Sequence, residues 1–392
     1  FAGSSAALFA SGCARRPVEK ILPYSKAPEH VLPGVPAHYA TVRPFRNDAI
    51  GLLVESHEGR PTKIEGNPDH PSSFGRTDAW SQAEIFELYD PDRSTTPMKG
   101  ARGGGAGGVG AHSPATWAEF DALLSDIARV AQADQGARLR VLVQPNRSPT
   151  FLRLRDQLLQ KLPKAKVHVW EAASHDNVYE GAKLAFGQPV DAVADYAQAR
   201  VIVSLDSDFL GTEGGNVRAN WLFAQGRKLR QGPNDTMSRL YVVEPTFTVT
   251  GMNADHRLRL PASQVERYLM ALAKELADKH AVDLGPIKEA VSKVDTTGIP
   301  EKWLSAVAKD VAGARAKSVL VVGTRQPPRV HALAHALNAA LGNVGHTVDY
   351  YPVADAAAPT DATSLKALVE DIEKGGVGTL VLTSRLPNQS NY

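Results

Sequence analysis

The feature that most constrains this chain is a series of short, uninterrupted apolar runs separated by stretches with helical spacing. Leu139–Val143, Val167–Trp170, Val201–Leu205, Leu240–Val243, Ser318–Val322 and Thr379–Thr383 read as strands. Phe151–Leu162, Val217–Leu229, Gln264–Leu276, Val330–Leu341 and Ser364–Lys374 read as helices, and Ser113-Pro114 reads as the cap of a helix through Trp117, Phe120, Leu123, Leu124 and Ile127. A strand that is apolar along its whole length is buried on both faces, which implies parallel sheet covered by helices. The expected fold class is therefore α/β, with Rossmann-like parallel sheets whose ligand sites lie at the carboxyl ends of the strands.

The region before these runs has a different character. Gly51–Glu55 and Thr62–Gly66 look like short strands joined by a turn at His57-Glu58-Gly59-Arg60, and Asn67-Pro68-Asp69-His70-Pro71 is a rigid loop. Asp78–Leu88 has helical spacing and stops before Asp90-Pro91. This predicts a small, mainly β domain over residues 38–98. A glycine-rich linker follows at 99–112, then an α/β domain at 113–310 and a second α/β segment at 311–392, expected to be incomplete. GxGxxG occurs at Gly105–Gly110, but a phosphate loop follows a strand and opens into a helix; this one follows a polar segment, so it reads as a linker.

Residues 1–37 carry two further features. Phe1–Gly12 is small and apolar, and Ala10-Ser11-Gly12-Cys13 is similar to a lipoprotein box, making Cys13 a candidate lipidation site; the alternative is the tail of a signal segment with an incidental cysteine. Because the chain opens on Phe1, an upstream piece is expected. Pro17, Pro23, Pro28, Pro33 and Pro36 then favour an extended arm.

Composition narrows the function. A chain of 392 residues exceeds the usual growth of one hydrophobic core, so two or three domains are expected. A net charge of +2, with no run of five like charges, gives no argument for nucleic acid. One cysteine excludes a disulfide framework and any cluster held by four thiolates of this chain. No apolar run reaches the roughly 18–20 residues that span a bilayer.

Several motifs carry a family resemblance. Glu65–Pro71, Leu88–Arg93, and Leu337-Asn338 with Leu341–Gly345 resemble the molybdopterin oxidoreductase superfamily. Within it, Lys20–Tyr24 with Pro33-Gly34, Leu53–Pro71, Asn253–Leu258, Arg325–Pro328 and His331–His335 resemble the B subunit family of alternative complex III. The resemblance covers most of the chain. It implies a membrane-associated, quinol-oxidising complex at the periplasmic face of a bacterial inner membrane. Iron–sulfur clusters are implied in a carboxyl-terminal half absent from this sequence. The implied partners are a multihaem cytochrome c subunit and a quinol-binding membrane subunit.

The departures from the superfamily pattern are as informative. Where catalytic relatives resemble Leu-Cys-x-Lys-Gly, this chain has Thr77-Asp78-Ala79-Trp80-Ser81. Asp78 stands at the cluster cysteine and Trp80 at a lysine between cluster and pterin, and Tyr39–Asp48 lacks the upstream cysteines. A carboxylate is a hard ligand unsuited to iron–sulfur chemistry. Thr383–Asn388 also departs from the Gly-x-Asn-Pro expected after the last strand. Asp78 and Trp80 are thus relic positions, and no cofactor is expected on this chain.

Other candidates have plain readings beside the chemical ones. His331 and His335 are four apart on a helix, as in zincins, but Ala332 replaces the glutamate and no third ligand suggests itself. Asp206 and Asp208 could be an acid–base pair and read more simply as a polar loop. Asp69-His70 reads as a turn, and Asp255-His256 has Arg257 and Arg259 as ion partners. Glu213–Asn216 precedes a helix whose amide groups could hold an anion, as the relic of a cofactor loop would.

No catalytic or metal-binding residue is assigned. The leading expectation is a scaffold and docking role within a redox complex. The alternatives are a molybdopterin enzyme that retains the pterin but lacks the cluster, and an independent periplasmic binding protein.

Overall fold

The computed structural model describes residues 29, 31–45, 48–93, 95–100, 112–229, 236–356, 358 and 360–383. Cys13 and the apolar segment before it, the glycine run at 101–111 and the departure after Thr383 lie outside the described residues.

Three strands form the small amino-terminal domain: β1 (Ala37–Phe45), β2 (Asp48–His57) and β3 (Arg60–Gly66), paired antiparallel in that order. Helix α1 (Ala79–Tyr89) closes it. Alternation on β2 puts Ile50 and Leu52 inward, where they meet Ile64 and, from the next domain, Val217. Two short strands, β4 (Met98–Gly100) and β5 (His112–Pro114), pair across the glycine run. Ser113-Pro114 is therefore strand, not cap: α2 (Trp117–Ala133) starts from Thr116, which forms a capping box with Glu119.

The rest is parallel α/β, in two sheets. The elements are β6 (Leu139–Val143), α3 (Pro149–Lys161), β7 (Lys166–Val169), α4 (Asp176–Phe186), β8 (Val190–Ala194), β9 (Val201–Leu205), α5 (Asn216–Gly226), β10 (Arg239–Glu244), α6 (Val249–Met252), β11 (His256–Arg259), α7 (Val265–His280), α8 (Lys288–Ser292), α9 (Glu301–Gly313), β12 (Ser318–Val322), α10 (Pro328–Ala340), β13 (Val348–Pro352), α11 (Asp361–Glu373) and β14 (Thr379–Thr383). One sheet has the order β11-β10-β9-β12 and the other β14-β6-β7; all their pairings are parallel. β8 and β13 form a separate antiparallel pair.

The expected boundary at 310/311 does not separate these sheets. β12 joins β9, and β14 returns to pair with β6. Sequence order hides this because strand pairing is set by which faces must be buried, not by proximity along the chain. The β14-β6-β7 unit is discontinuous, and the sheet centred on β9 and β10 is inserted between its two parts.

The inserted sheet is closed on both faces. Val201, Val203 and Leu205 of β9 point to one side, against Leu269, Leu272 and Leu276 of α7 and Val307 and Val311 of α9. Ile202, Leu240 and Val242 point to the other, against Leu222 and Phe223 of α5 and Phe209. The exposed edge of β12 is finished by a side chain: Asn338 of α10 accepts from the Leu320 amide at 3.1 Å and donates to the Leu320 carbonyl at 2.9 Å. Asn343 and Ser318 extend this bracket.

Candidate functional site

Two places at the carboxyl ends of parallel strands qualify as sites. The first is a cleft of about 1560 Å³ between the small β domain and the β14-β6-β7 sheet. One wall is apolar, with Leu52, Val54, Ile64 and Ile85; the other is the polar turn after β6, including Gln144, Asn146, Arg147 and Ser148. A position outside the carboxyl ends of β6 and β14 is where open α/β sheets hold ligands.

Of the two departures from the resembling pattern, Asp78 lies next to Arg43, which lines this cleft. Asp78 caps α1, accepting from the Ser81 amide at 2.7 Å, and its other oxygen lies 4.0 Å from Nη1 of Arg43. Arg43 also binds Glu84 of α1 at 2.7 Å, and both Arg43 and Glu84 line the cleft. β1 and the amino-terminal cap of α1 are thus brought together through an ion pair. Four thiolates are required for a cluster, and a guanidinium with two carboxylates does not fit one. Trp80 points outward and is 66% exposed.

The polar wall fits a pyrophosphate poorly. Arg147 is held by Asp191 at 2.5 Å and by the Tyr179 hydroxyl, whose ring also faces the guanidinium. Arg43 is neutralised by Glu84. Both guanidiniums lining the cleft are already compensated, and Glu84 and Glu171 add negative charge to its wall.

The second place is a buried carboxylate network at the ends of β9, β10 and β12. Asp206 adopts a left-handed conformation (φ 56°) and accepts from Gln326 Nε2 at 2.8 Å and Arg325 Nη2 at 3.2 Å. The Asp206 carbonyl lies so close to Gly323 that no side chain fits there. Asp208 accepts from the amides and hydroxyls of Thr250 and Thr212, all within 3.1 Å. Burial alone would raise its pKa, but these four donors hold it below the usual carboxylate range. Glu244 is filled by Thr248 and Arg257. Each carboxylate is committed to holding one loop against another, which favours the plain reading of Asp206 and Asp208.

Glu213 differs. It accepts from Ser207 Oγ at 2.5 Å and from the Thr324 amide at 3.4 Å, and burial pushes its pKa up to about 7. Gly215 follows in the left-handed conformation that starts α5. Sequence reading named this segment but not the protonation behaviour, which depends on burial contributed by distant strands.

The remaining candidates are dispersed. His331 and His335 face α4, where Gly181 lets His331 approach, and His335 Nδ1 lies 3.1 Å from the Tyr350 hydroxyl. Burial pushes both imidazoles down to about 4. No group of three metal-ligating residues occurs among the described residues. His70 braces Ser72 within the turn after Asn67, as expected of a structural loop. Asp255 pairs with Arg227 at 2.7 Å and not with Arg257 or Arg259, because Arg257 is taken by Glu244 and β11 directs it there. The superfamily-like motifs around Asn67 and Asn338 thus act as brackets in the fold: the Asn67 carbonyl accepts from Gly75 and Ser73, and its side chain accepts from Asp69.

Comparison with known proteins agrees with this architecture. The chain is 24% identical over 307 residues to the menaquinone reductase molybdopterin-binding-like subunit of Nitratidesulfovibrio vulgaris, a match covering 74% of this chain and 41% of that protein. It is 35% identical over 72 residues to the probable oxidoreductase YoaE of Bacillus subtilis, covering 18% and 10% of the two chains. In structure it is similar to acetylene hydratase from Pelobacter acetylenicus, with a TM-score of 0.52 and 14% identity over 76% of this chain and 42% of that one. No protein-family model matches the sequence. The sequence is thus similar to a molybdopterin-binding-like subunit of a menaquinone reductase, and the fold is similar to that of acetylene hydratase. It spans less than half the length of these relatives.

Proposed function

We propose that this chain is the cofactor-free structural half of an iron–sulfur B subunit in a quinol-oxidising complex of the alternative complex III type. It serves as scaffold and docking surface, with iron–sulfur clusters and c-type haems carried elsewhere in the assembly, at the periplasmic face of the inner membrane. The observation that carries this reading is the Arg43–Asp78–Glu84 group: the residue that the sequence resemblance aligns with a cluster cysteine is engaged in an ion pair, which supports a role without a cluster. The similarity to a menaquinone reductase subunit supports placement in a quinone-linked assembly of a respiratory or photosynthetic electron-transfer chain. Lipidation of Cys13 would add an anchor, and a single acyl chain anchors only marginally.

Metal and pterin analysis of the protein purified with its partners tests the proposal. The expected result is haem and iron in the assembly with molybdenum and tungsten at background. One molybdenum or tungsten per chain would overturn it and establish the second reading, a pterin-retaining oxidoreductase, which the size of the cleft favours. Migration as a free monomer without haem-bearing partners would instead favour the binding-protein alternative.

A further inference from the structure

A second cavity, of about 350 Å³, opens beside β7. Val167 and Val169, which share one face of that strand, line it together with Phe151 and Leu159 of α3 and Tyr179 of α4. The segment between β13 and α11 contributes Ala358 and Asp361. The cavity shares with the large cleft only Phe151 and the turn at Pro145-Asn146-Arg147. Its size is that of a small-molecule site, where an apolar lining carries a few placed polar groups.

The charges around this cavity do not balance. Each arginine and lysine that lines it already has a carboxylate: Arg147 has Asp191 at 2.5 Å, Arg155 has Asp355 and Asp156, and Lys183 has Glu180 at 2.7 Å. Asp176 accepts from the Asp361 and Ala362 amides at 2.9 and 3.3 Å. Asp361, the first residue of α11, accepts from the Glu171 amide but meets no cation among the described residues. Burial, then the charges of Asp176 and Glu171, push its pKa up to about 6. At neutral pH it is therefore ionised with two carboxylates for neighbours. A carboxylate without a counter-charge at the wall of an apolar cavity complements a ligand with a positive head and an apolar body.

We propose that this cavity binds a small organic ammonium ion, whose N–H groups donate to Asp361 and whose apolar body lies against Val167, Val169 and Phe151. The same charge balance disfavours phosphates and carboxylates as ligands. A bound cation would also tie two parts of the unit together, since Asp361 begins α11 and the two valines belong to β7. Occupation of the cavity is independent of whether the large cleft holds a pterin, so its failure would leave the scaffold role standing.

Isothermal titration calorimetry of the full natural gene product with phenethylammonium tests this, with phenylpropionate as the ligand of similar body and opposite charge. Saturable binding of the ammonium ion is expected at neutral pH, with phenylpropionate at least about tenfold weaker. Asp361→Asn, which keeps the size and removes the charge, should weaken the ammonium ion at least about tenfold. Ala358→Phe, which fills the cavity without touching its charge, should abolish binding, and the urea midpoint of each variant reports that it is folded. Equal affinity in Asp361→Asn and the unsubstituted protein overturns the proposal. So does phenylpropionate binding as tight as that of phenethylammonium, or no saturable binding up to about 10 mM. Magnesium that binds alone, depends on Asp361 and displaces the ammonium ion would assign the cavity to a metal ion and would also overturn it.

Discussion

The two parallel sheets use the same local code and reach different ends. β9, β10 and β12 lie between two large clusters, so nearly every side chain is buried and even the edge at Leu320 is bracketed by Asn338. The β14-β6-β7 sheet rests on two small clusters, Ala131–Leu139–Leu162–Ala165 and Leu142–Leu368, and is held to α11 by charge: Arg140 binds Asp371 at 2.7 Å, with Lys166 joining at 2.9 Å. One unit rests on a large buried core; the other is held by small clusters and ion pairs. Apolar strands alone do not reveal which outcome follows.

Truncating the closed core should have the largest effect. Leu272→Ala, fully buried under β9, should cost about 4 kcal/mol and lower the main unfolding transition in urea. A loss below about 1 kcal/mol would show that this sheet is not the stable unit. Asp371→Ala should cost about 3 kcal/mol by leaving buried Arg140 with only its carbonyl partners. Its effect should be confined to the discontinuous sheet, seen as faster hydrogen exchange in β6 and β14 while β9 stays protected. Equal loss of protection in both sheets would erase the proposed contrast.

Glu213 offers a test with the opposite sign. Its folded-state pKa of about 7 exceeds the ordinary 4.5, so the folded protein binds the extra proton between these values and stability falls as pH rises through that window. Glu213→Gln, which keeps the acceptor for Ser207, should therefore stabilise at pH 8 by about 2–3 kcal/mol and change nothing at pH 4. A pH-independent effect would mean that the carboxyl is solvated. Smallest is Asp78→Ala, which removes a helix cap and should cost about 1 kcal/mol. Loss of the whole small domain by proteolysis would show that Asp78 does far more than cap.

Much of the fold was legible because its signals are local. The apolar runs became β6, β7, β9, β10, β12 and β14, and the two strands around Glu58-Gly59 formed as their turn residues implied. β1 was not foreseen: Ala37–Phe45 carries Arg43 and Pro44 and lacks a clean alternation. α4 and β8 were missed because their short apolar stretches are filled by partners distant in sequence. The capping box at Thr116 was readable from Thr-x-x-Glu but was masked by the Ser-Pro beside it. In the candidate site, the departure at Asp78 from the pattern it resembles was visible in sequence; its partner Arg43 was not, since that pairing depends on β1.

The return of β14 to β6 also governs the order of assembly. Arg140 and Asp371 stand 231 residues apart in sequence, so their contact closes a very long loop. The entropic cost of closure rises only logarithmically with length, but a free chain of that span finds its ends slowly. A compact insert changes the problem: once the β9-centred unit has formed, it shortens the effective tether between β6 and β14. During synthesis the insert emerges before β14 does, so the earlier strands wait with an open edge until the last one arrives. The stable sheet thus acts as an internal template for the weaker one, and errors in the first would propagate into the second.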